Sequence, residues 1–218
     1  MLDPLVNRCA NSRFLQLKGL HFHIGSQIRD KGPFRVLCSV INNLQDHFET
    51  LGITFPLINV GGGLGVNYEN PDGEPIPDFK TYFAIFHKYL KLRDNQQLHF
   101  ELGRSIVAQC GSLVTRVLYV KEGLNKKFVI VDAGMTDLIR PALYQAHHKI
   151  QNITSQSQQT DTYDVVGPIC ESSDIFGRDE KLPLTQRGDL LVLRSAGAYG
   201  EIMASSYNCR PLPGSISL

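Results

Sequence analysis

The sequence predicts an α/β segment followed by a β-rich segment, and three observations carry that reading. Short apolar runs alternate with amphipathic helical stripes over the first hundred residues. From about residue 105 the long stripes stop, and runs rich in Val, Ile, Leu and Tyr succeed one another between Gly, Pro and polar turns. In the first half, polar side chains gather at one end of successive strands.

Residues 15–24 (LQLKGLHFHI) read as a strand. Phe34, Leu37, Val40, Ile41, Leu44, Phe48 and Leu51 form a helical stripe opened by Pro33 and closed by Gly52. A second strand, 55–60, runs into Gly61, Gly62 and Gly63. After a loop rich in Pro, Asp and Gly comes a second stripe, Phe79, Tyr82, Phe83, Phe86 and Leu90. A third strand, 97–101, ends in Leu102-Gly103-Arg104. This alternation requires parallel neighbours joined by right-handed crossovers. In the second half the expected strands are 105–109, 112–120, 127–132, 163–166 and 189–194, and the polar stretch 151–162 (QNITSQSQQTDT) is expected to be a mobile loop.

The 218 residues are 42% hydrophobic and 20% charged, an ordinary globular balance that disfavours a largely disordered chain. A net charge of +1 supplies no electrostatic footprint for nucleic acid or an anionic membrane. No apolar run approaches the roughly 20 residues of a membrane span, and the first residues lack the pattern of a signal peptide. Five scattered cysteines indicate neither a disulfide framework nor a zinc site. A soluble, cytoplasmic protein is expected.

Strand alternation places Leu20, Phe22 and Ile24 on one face with Ile58, Val60, Leu98 and Phe100, a surface suited to covering helices. The opposite face carries His21, His23, Asn59, His99 and Glu101. Polar groups thus converge near the C-terminal ends of three parallel strands, the end that holds the active site in α/β barrels. Three strands cannot close a barrel of eight.

Gly61-Gly62-Gly63 lets backbone N–H groups approach an anion closely; the plain alternative is a flexible turn. His21 and His23 on one face read as structural histidines or as half of a metal site, whose further His or Asp ligands do not appear at the later strand ends. Glu101 and Arg104 read either as a local ion pair or as a carboxylate facing a cationic ring nitrogen beside an arginine that grips a carboxylate. Cys170, on a loop after Gly167-Pro168 and followed by Glu171, reads as a small hydrophobe or as a functional thiol.

Taken together, GLHFHIGSQI (19–28), NVGGGLGV (59–66), ELGRSIVAQCGSLV (101–114), VDAGMTDLIRPALY (131–144), GPICESSD (167–174) and AGAYGEIMASSYN (196–208) resemble the fold-type III pyridoxal-phosphate-dependent decarboxylases, in their diaminopimelate decarboxylase branch. The motifs occur in family order over most of residues 19–212. The resemblance implies the C-terminal part of a PLP-binding (β/α)8 barrel, residues 1–104, followed by a β-rich, sandwich- or barrel-like domain, residues 105–218. It implies decarboxylation of meso-2,6-diaminopimelate to L-lysine and CO2 with pyridoxal 5'-phosphate.

By this resemblance His23 stacks on the cofactor ring and Ser26 holds its phosphate, with Gly61, Gly62 and Gly63 and the backbone of Gly103 and Arg104 completing the cup. Glu101 faces the pyridine nitrogen, Leu102 lies in the same turn, and Tyr199 touches cofactor and substrate. Arg104, Arg140 and Tyr144 grip the distal carboxylate of the substrate, Glu171 takes its distal ammonium, and Cys170 protonates the α-carbon. Cys170 and Glu171 come from the partner subunit in the family, which implies a homodimer.

The family pattern has Pro where this chain has Leu102, and residues 214–218 do not continue it. Family members are about twice this long by the same resemblance, and their Schiff-base lysine lies in a first barrel half that this sequence does not match. Lys18 precedes His23 by five residues, about 17 Å at roughly 3.3 Å per residue, towards the wrong end of the strand. Lys31 sits on a loop. The expectation is a fragment that is weakly active alone and partnered by the missing N-terminal barrel half. The alternative is a non-catalytic relative that binds the cofactor or a partner.

Overall fold

The computed structural model describes residues 2–217. The chain forms two compact units, one made of the residues up to Gly65 together with Pro77–Ser105, the other of Val66–Ile76 and the residues from Ile106 onward.

The first unit is a three-stranded parallel sheet backed by helices. β1 (Gly19–His21), β2 (Leu57–Asn59) and β3 (Gln97–His99) lie in that order, with Leu20, Ile58 and Leu98 in register. The strands are shorter than the apolar runs suggest. The predicted strand 15–24 pairs regularly only over 19–21, although Phe22 N–H still donates to Asn59 O at 2.8 Å. Ile24 lies beyond the ladder and is exposed, so it leaves the covered face expected of it.

Helices α2 (Gly32–Thr50) and α3 (Phe79–Tyr89) follow the predicted stripes. Pro33 suits the first turn of α2 because its missing N–H has no intrahelical partner there. Asp78 caps α3 by accepting from Thr81 N–H at 3.0 Å. Phe34, Leu37, Ile41 and Phe48 of α2 meet Tyr82 and Phe86 of α3 over Ile58 and Val60. Phe34 and Tyr82 pack edge to face at 4.9 Å, and Phe86 meets Phe100 at 5.2 Å. An additional helix, α1 (Leu2–Ala10), buries Val6 and pairs Asp3 with His47 of α2.

Residues 105–109, expected as a strand, are helical: α4 (Arg104–Val107) runs into a 3₁₀ turn, Ala108–Cys110. Ser105 and Ala108 are buried while Ile106 and Val107 face solvent. That burial spacing is helical, not the alternation of a strand.

The second unit is a six-stranded mixed sheet in the order β6-β9-β4-β5-β7-β8, formed by β4 (Leu113–Glu122), β5 (Lys127–Val131), β6 (Ile150–Asn152), β7 (Thr160–Val166), β8 (Ile175–Pro183) and β9 (Leu190–Leu193). All neighbours are antiparallel except β5 and β7. Val117, Val129, Val131, Leu138, Tyr163, Val165, Phe176, Leu182, Leu191 and Leu193 share its core.

The expected mobile loop 151–162 instead holds the end of β6 and the start of β7. Asn152 Oδ1 accepts from the backbone N–H groups of Thr154 (3.0 Å) and Ser155 (2.9 Å), and Ser155 Oγ–H donates to Leu184 O at 2.8 Å. Polar composition marks side chains that build a turn as readily as side chains that leave one loose. No helix among the described residues is long and apolar enough to cross a membrane.

Candidate functional site

The functional residues expected from sequence divide between the two units. In the first, the ladder continues past the regular strands, with Val60 N–H donating to His99 O at 3.0 Å and Glu101 N–H to Gly61 O at 2.8 Å. Period-two alternation therefore carries Glu101 to the face of His21 and Asn59.

Glu101 is engaged at both oxygens. Asn59 Nδ2–H donates to Oε1 at 2.8 Å, and His21 Nε2 lies 3.2 Å from Oε2. Asn59 Oδ1 in turn accepts from Gly61 N–H at 2.8 Å, which orients the amide so that its NH2 must face the carboxylate. The Asn59 hydrogen bond, followed by His21, holds Glu101 below the usual carboxylate range.

The triple glycine is a steric requirement. A Cβ on Gly61 would stand 2.3 Å from Phe22 O, one on Gly62 2.3 Å from Glu101 O, and one on Gly63 2.6 Å from Gly25 O. Gly61 and Gly63 also have positive φ, 69° and 103°. Glycine here lets three strand ends meet, which brings His23, Gly25 and Glu101 to one loop. His23 Nδ1 would lie 3.1 Å from a Gly61 Cβ. Arg104 Nη2–H donates to Ser26 Oγ at 3.1 Å, a link between the first and third strand ends. A Cβ on Gly103 would meet nothing within 4 Å.

Lys18 immediately precedes β1, and Lys31 Nζ pairs with Asp78 Oδ2 at 2.5 Å, which drives that carboxyl well below its usual range. Among the described residues no group of three or more His, Cys, Asp or Glu side chains is placed to hold a metal ion.

In the second unit, Arg140 opens the short helix α5 (Arg140–Tyr144) and is only 5% exposed. Its Nη1 lies 2.8 Å from His148 Nε2, and its guanidinium carbon sits 4.7 Å from the centre of the Tyr68 ring. Tyr144, at the far end of α5, is exposed. Tyr199 is also exposed and takes φ 60°, unusual for a side chain of its size.

Cys170 and Glu171 lie on the exposed 167–174 loop. Cys170 N–H donates to Asn208 Oδ1 at 3.1 Å, and Tyr207 Oη–H donates to Glu171 Oε1 at 2.6 Å, raising the Tyr207 pKa. The loop is anchored by Asp174, a buried carboxylate that accepts from Met135 N–H at 2.6 Å through Oδ1 and from Ile169 N–H at 2.7 Å through Oδ2. Burial raises the Asp174 pKa.

Within each unit the structure thus joins Ser26 to Arg104, sets His23 beside Gly61, and seats Glu171 on Tyr207. Sequence reasoning gave no role to Asn59, Tyr68, His148, Asp174, Tyr207 or Asn208, and it weighed His21 only as a structural histidine or a metal ligand. Asn59 carried a usable signal, two residues before Gly61 and on the face of Glu101. His148 and Asp174 carried none, because their partners are mostly backbone groups or residues of distant segments.

Residues 18–197 match the family described as pyridoxal-dependent decarboxylase, C-terminal sheet domain. A diaminopimelate decarboxylase of Bacteroides thetaiotaomicron is 59% identical over 212 residues, covering 97% of this chain and 55% of that protein. The crystal structure of diaminopimelate decarboxylase from Helicobacter pylori complexed with L-lysine superposes with a TM-score of 0.84 at 42% identity, over 94% of this chain and 50% of that one. The diaminopimelate decarboxylase of M. jannaschii gives a TM-score of 0.86 at 33% identity, over 95% and 48%. The chain spans about half the length of the curated relatives it matches.

Proposed function

We infer the function from one premise: this chain belongs to the pyridoxal-dependent decarboxylase family, whose C-terminal sheet domain it carries. We propose that it is the C-terminal portion of a diaminopimelate decarboxylase, which converts meso-2,6-diaminopimelate to L-lysine and CO2. On this reading residues 1–104 are the last part of the barrel, residues 105–218 are the sheet domain, and the protein works in the cytoplasm as a homodimer. The observation that carries the reading is the Glu101 carboxylate, engaged by Asn59 and His21 beside a glycine-built loop. The named relatives support the choice of substrate.

The donor set of the first unit fits pyridoxal 5'-phosphate. Ser26 and the backbone amides of Gly62, Gly63, Gly103 and Arg104 suit a phosphate, while Gly61, whose N–H serves Asn59, completes the cup by its turn. A carboxylate kept ionised by Asn59 suits a protonated ring nitrogen, and His23 offers a flat surface for the ring. When bound, the cofactor supplies an electron sink for the pair left as the α-carboxylate departs.

The chain's own residues do the rest. Glu101 holds the proton on the ring nitrogen, with Leu102 in the turn that follows. Arg104, Arg140 and Tyr144 orient the distal carboxylate and thereby select a substrate that is acidic at both ends. Glu171 holds the distal ammonium and Tyr199 lies against the substrate. Cys170 Sγ–H holds the proton that the α-carbon takes after C–C cleavage, and the resulting thiolate regains one from solvent.

One observation favours a second reading for the chain by itself, a non-catalytic relative that binds cofactor or partner. Lys31 is paired with Asp78 and Lys18 precedes β1, which leaves neither suited to carry the cofactor. The deciding experiment measures lysine release from meso-diaminopimelate with added pyridoxal phosphate. The chain is assayed alone and then mixed with the N-terminal half of a related enzyme. Release only from the mixture is expected. Full release by the chain alone removes the fragment reading, and silence in the mixture with folded components removes the enzyme.

A further inference from the structure

His148 is fully buried in the second unit, and both of its ring nitrogens are committed. Nε2 lies 2.8 Å from Arg140 Nη1, and Nδ1 lies 2.9 Å from the backbone oxygen of Arg194. A guanidinium nitrogen has only hydrogens to offer, so Nε2 must accept. A carbonyl oxygen has only lone pairs, so Nδ1 must carry the proton. The two partners together admit one form of the ring, the neutral Nδ1–H tautomer.

The surroundings fix that form in space. His148 stands two residues before β6 and Arg194 one residue after β9. These strands pair through Ile150 and Leu193, and Arg194 N–H donates to Lys149 O at 2.9 Å. Sheet register therefore aims the Arg194 carbonyl, which selects the tautomer and turns the accepting nitrogen on Arg140. Tyr68 supports both partners, its ring 4.7 Å from the Arg140 guanidinium carbon and 5.2 Å from the His148 ring at 75°.

We propose that His148 is a positioning residue that holds the Arg140 guanidinium in one plane as a preset fork for the substrate's distal carboxylate, with Tyr68 as its backing. This rests on the reading of Arg140 as a carboxylate grip. A fork whose plane is already set matches a planar carboxylate through two parallel hydrogen bonds and discriminates against ends that lack one.

The test begins with the unsubstituted chain. Long-range 1H–15N NMR of 15N-histidine protein at pH 7 is expected to show His148 protonated at Nδ1 alone. An Nε2–H tautomer or a doubly protonated ring overturns the proposal without any variant having to fold. The second readout is the Arg140 side-chain N–H signals, assigned by their loss in Arg140→Lys. They are expected to be separately resolved, to merge in His148→Phe, and to separate again in His148→Gln, whose Oε1 can reach the position of Nε2. Resolved signals that survive His148→Phe overturn the proposal.

In the complemented lysine-release assay, His148→Phe is expected to raise KM for diaminopimelate at least tenfold with a smaller change in kcat, and His148→Gln to recover most of it. An unchanged KM in folded His148→Phe overturns the link to substrate. The NMR signatures need no substrate, so an inactive mixture that retains them counts against the decarboxylase reading and leaves the His148–Arg140 arrangement standing.

Discussion

Asn59 decides the state of Glu101. Its amide is fixed from one side by Gly61 N–H and so presents hydrogens to the carboxylate, a donor that favours the ionised form. Asn59→Ala is expected to move the Glu101 pKa back up towards the ordinary range, measurable by 13C NMR titration of the side-chain carboxylate. An unmoved titration refutes Asn59 as the cause. Because the shift is downward in the folded chain, the carboxylate adds stability above the ordinary glutamate range, and that contribution fades as pH falls through the folded pKa. Alternation alone placed Asn59 and Glu101 on one face. What the sequence left open was which way the amide turns, since that depends on a backbone N–H made available by the positive φ of Gly61.

The turns proposed to hold the cofactor and substrate are built with little tolerance at Gly62 and Asp174. Gly62→Ala would drive a Cβ into the Glu101 carbonyl oxygen at 2.3 Å, a contact that only backbone movement relieves. It is expected to cost about 1–3 kcal/mol, in line with overpacking elsewhere. Gly103→Ala, in the next turn of the same region, meets nothing within 4 Å and is expected to stay within about 0.5 kcal/mol. Urea midpoints of the two variants check the contrast, and equal midpoints refute the steric account. The 167–174 loop depends instead on a buried acceptor. Asp174→Ala leaves the N–H groups of Met135 and Ile169 without their partner, at about 1–3 kcal/mol for each group orphaned. Hydrogen exchange at Ile169 should accelerate in that variant, and an unchanged rate refutes the anchor. β8 escaped sequence reading for a related reason. Its middle, Arg178-Asp179-Glu180-Lys181, is charged and reads as a loop, and Asp179 takes φ 53° where the β7–β8 register shifts. Its burial shows only at Phe176 and Leu182.

At the scale of the whole chain, long periodic signals were legible and short contextual ones were not. The stripes of α2 and α3 and strands β4, β5, β7 and β9 of the mixed sheet follow from hydrophobic period, because burial there is set by many residues at once. The division of polar and covered faces in the first unit was legible for the same reason. Residues 105–109 were not, since a five-residue run around the β-prone pair Ile106 and Val107 has no period until Ser105 and Ala108 are seen to be buried together. The charges were legible as a near-zero sum, yet their pairing governs the response to acid. Asp78 is pulled down by Lys31, Glu101 by Asn59, and Asp161 by Lys127. Burial pushes Asp164 up, but the Asp179 N–H and Lys126 prevail and lower it. These four add stability above the ordinary carboxylate range and lose it as pH falls through their folded values, below about 4. Asp174 and Glu180 run the other way, since burial raises them, and the penalty they carry when ionised is relieved as pH falls from their folded values towards the ordinary carboxylate range. The urea midpoint of the whole chain is therefore expected to hold or rise slightly as pH falls towards the ordinary carboxylate range and to fall below about pH 4. Lys31→Met, which releases Asp78 from its largest influence, should lower the midpoint at neutral pH and shrink that fall, because a carboxyl whose folded and unfolded pKa values coincide adds no pH dependence. A midpoint that declines steadily from pH 7, or an acid limb indifferent to Lys31→Met, refutes this assignment of charges.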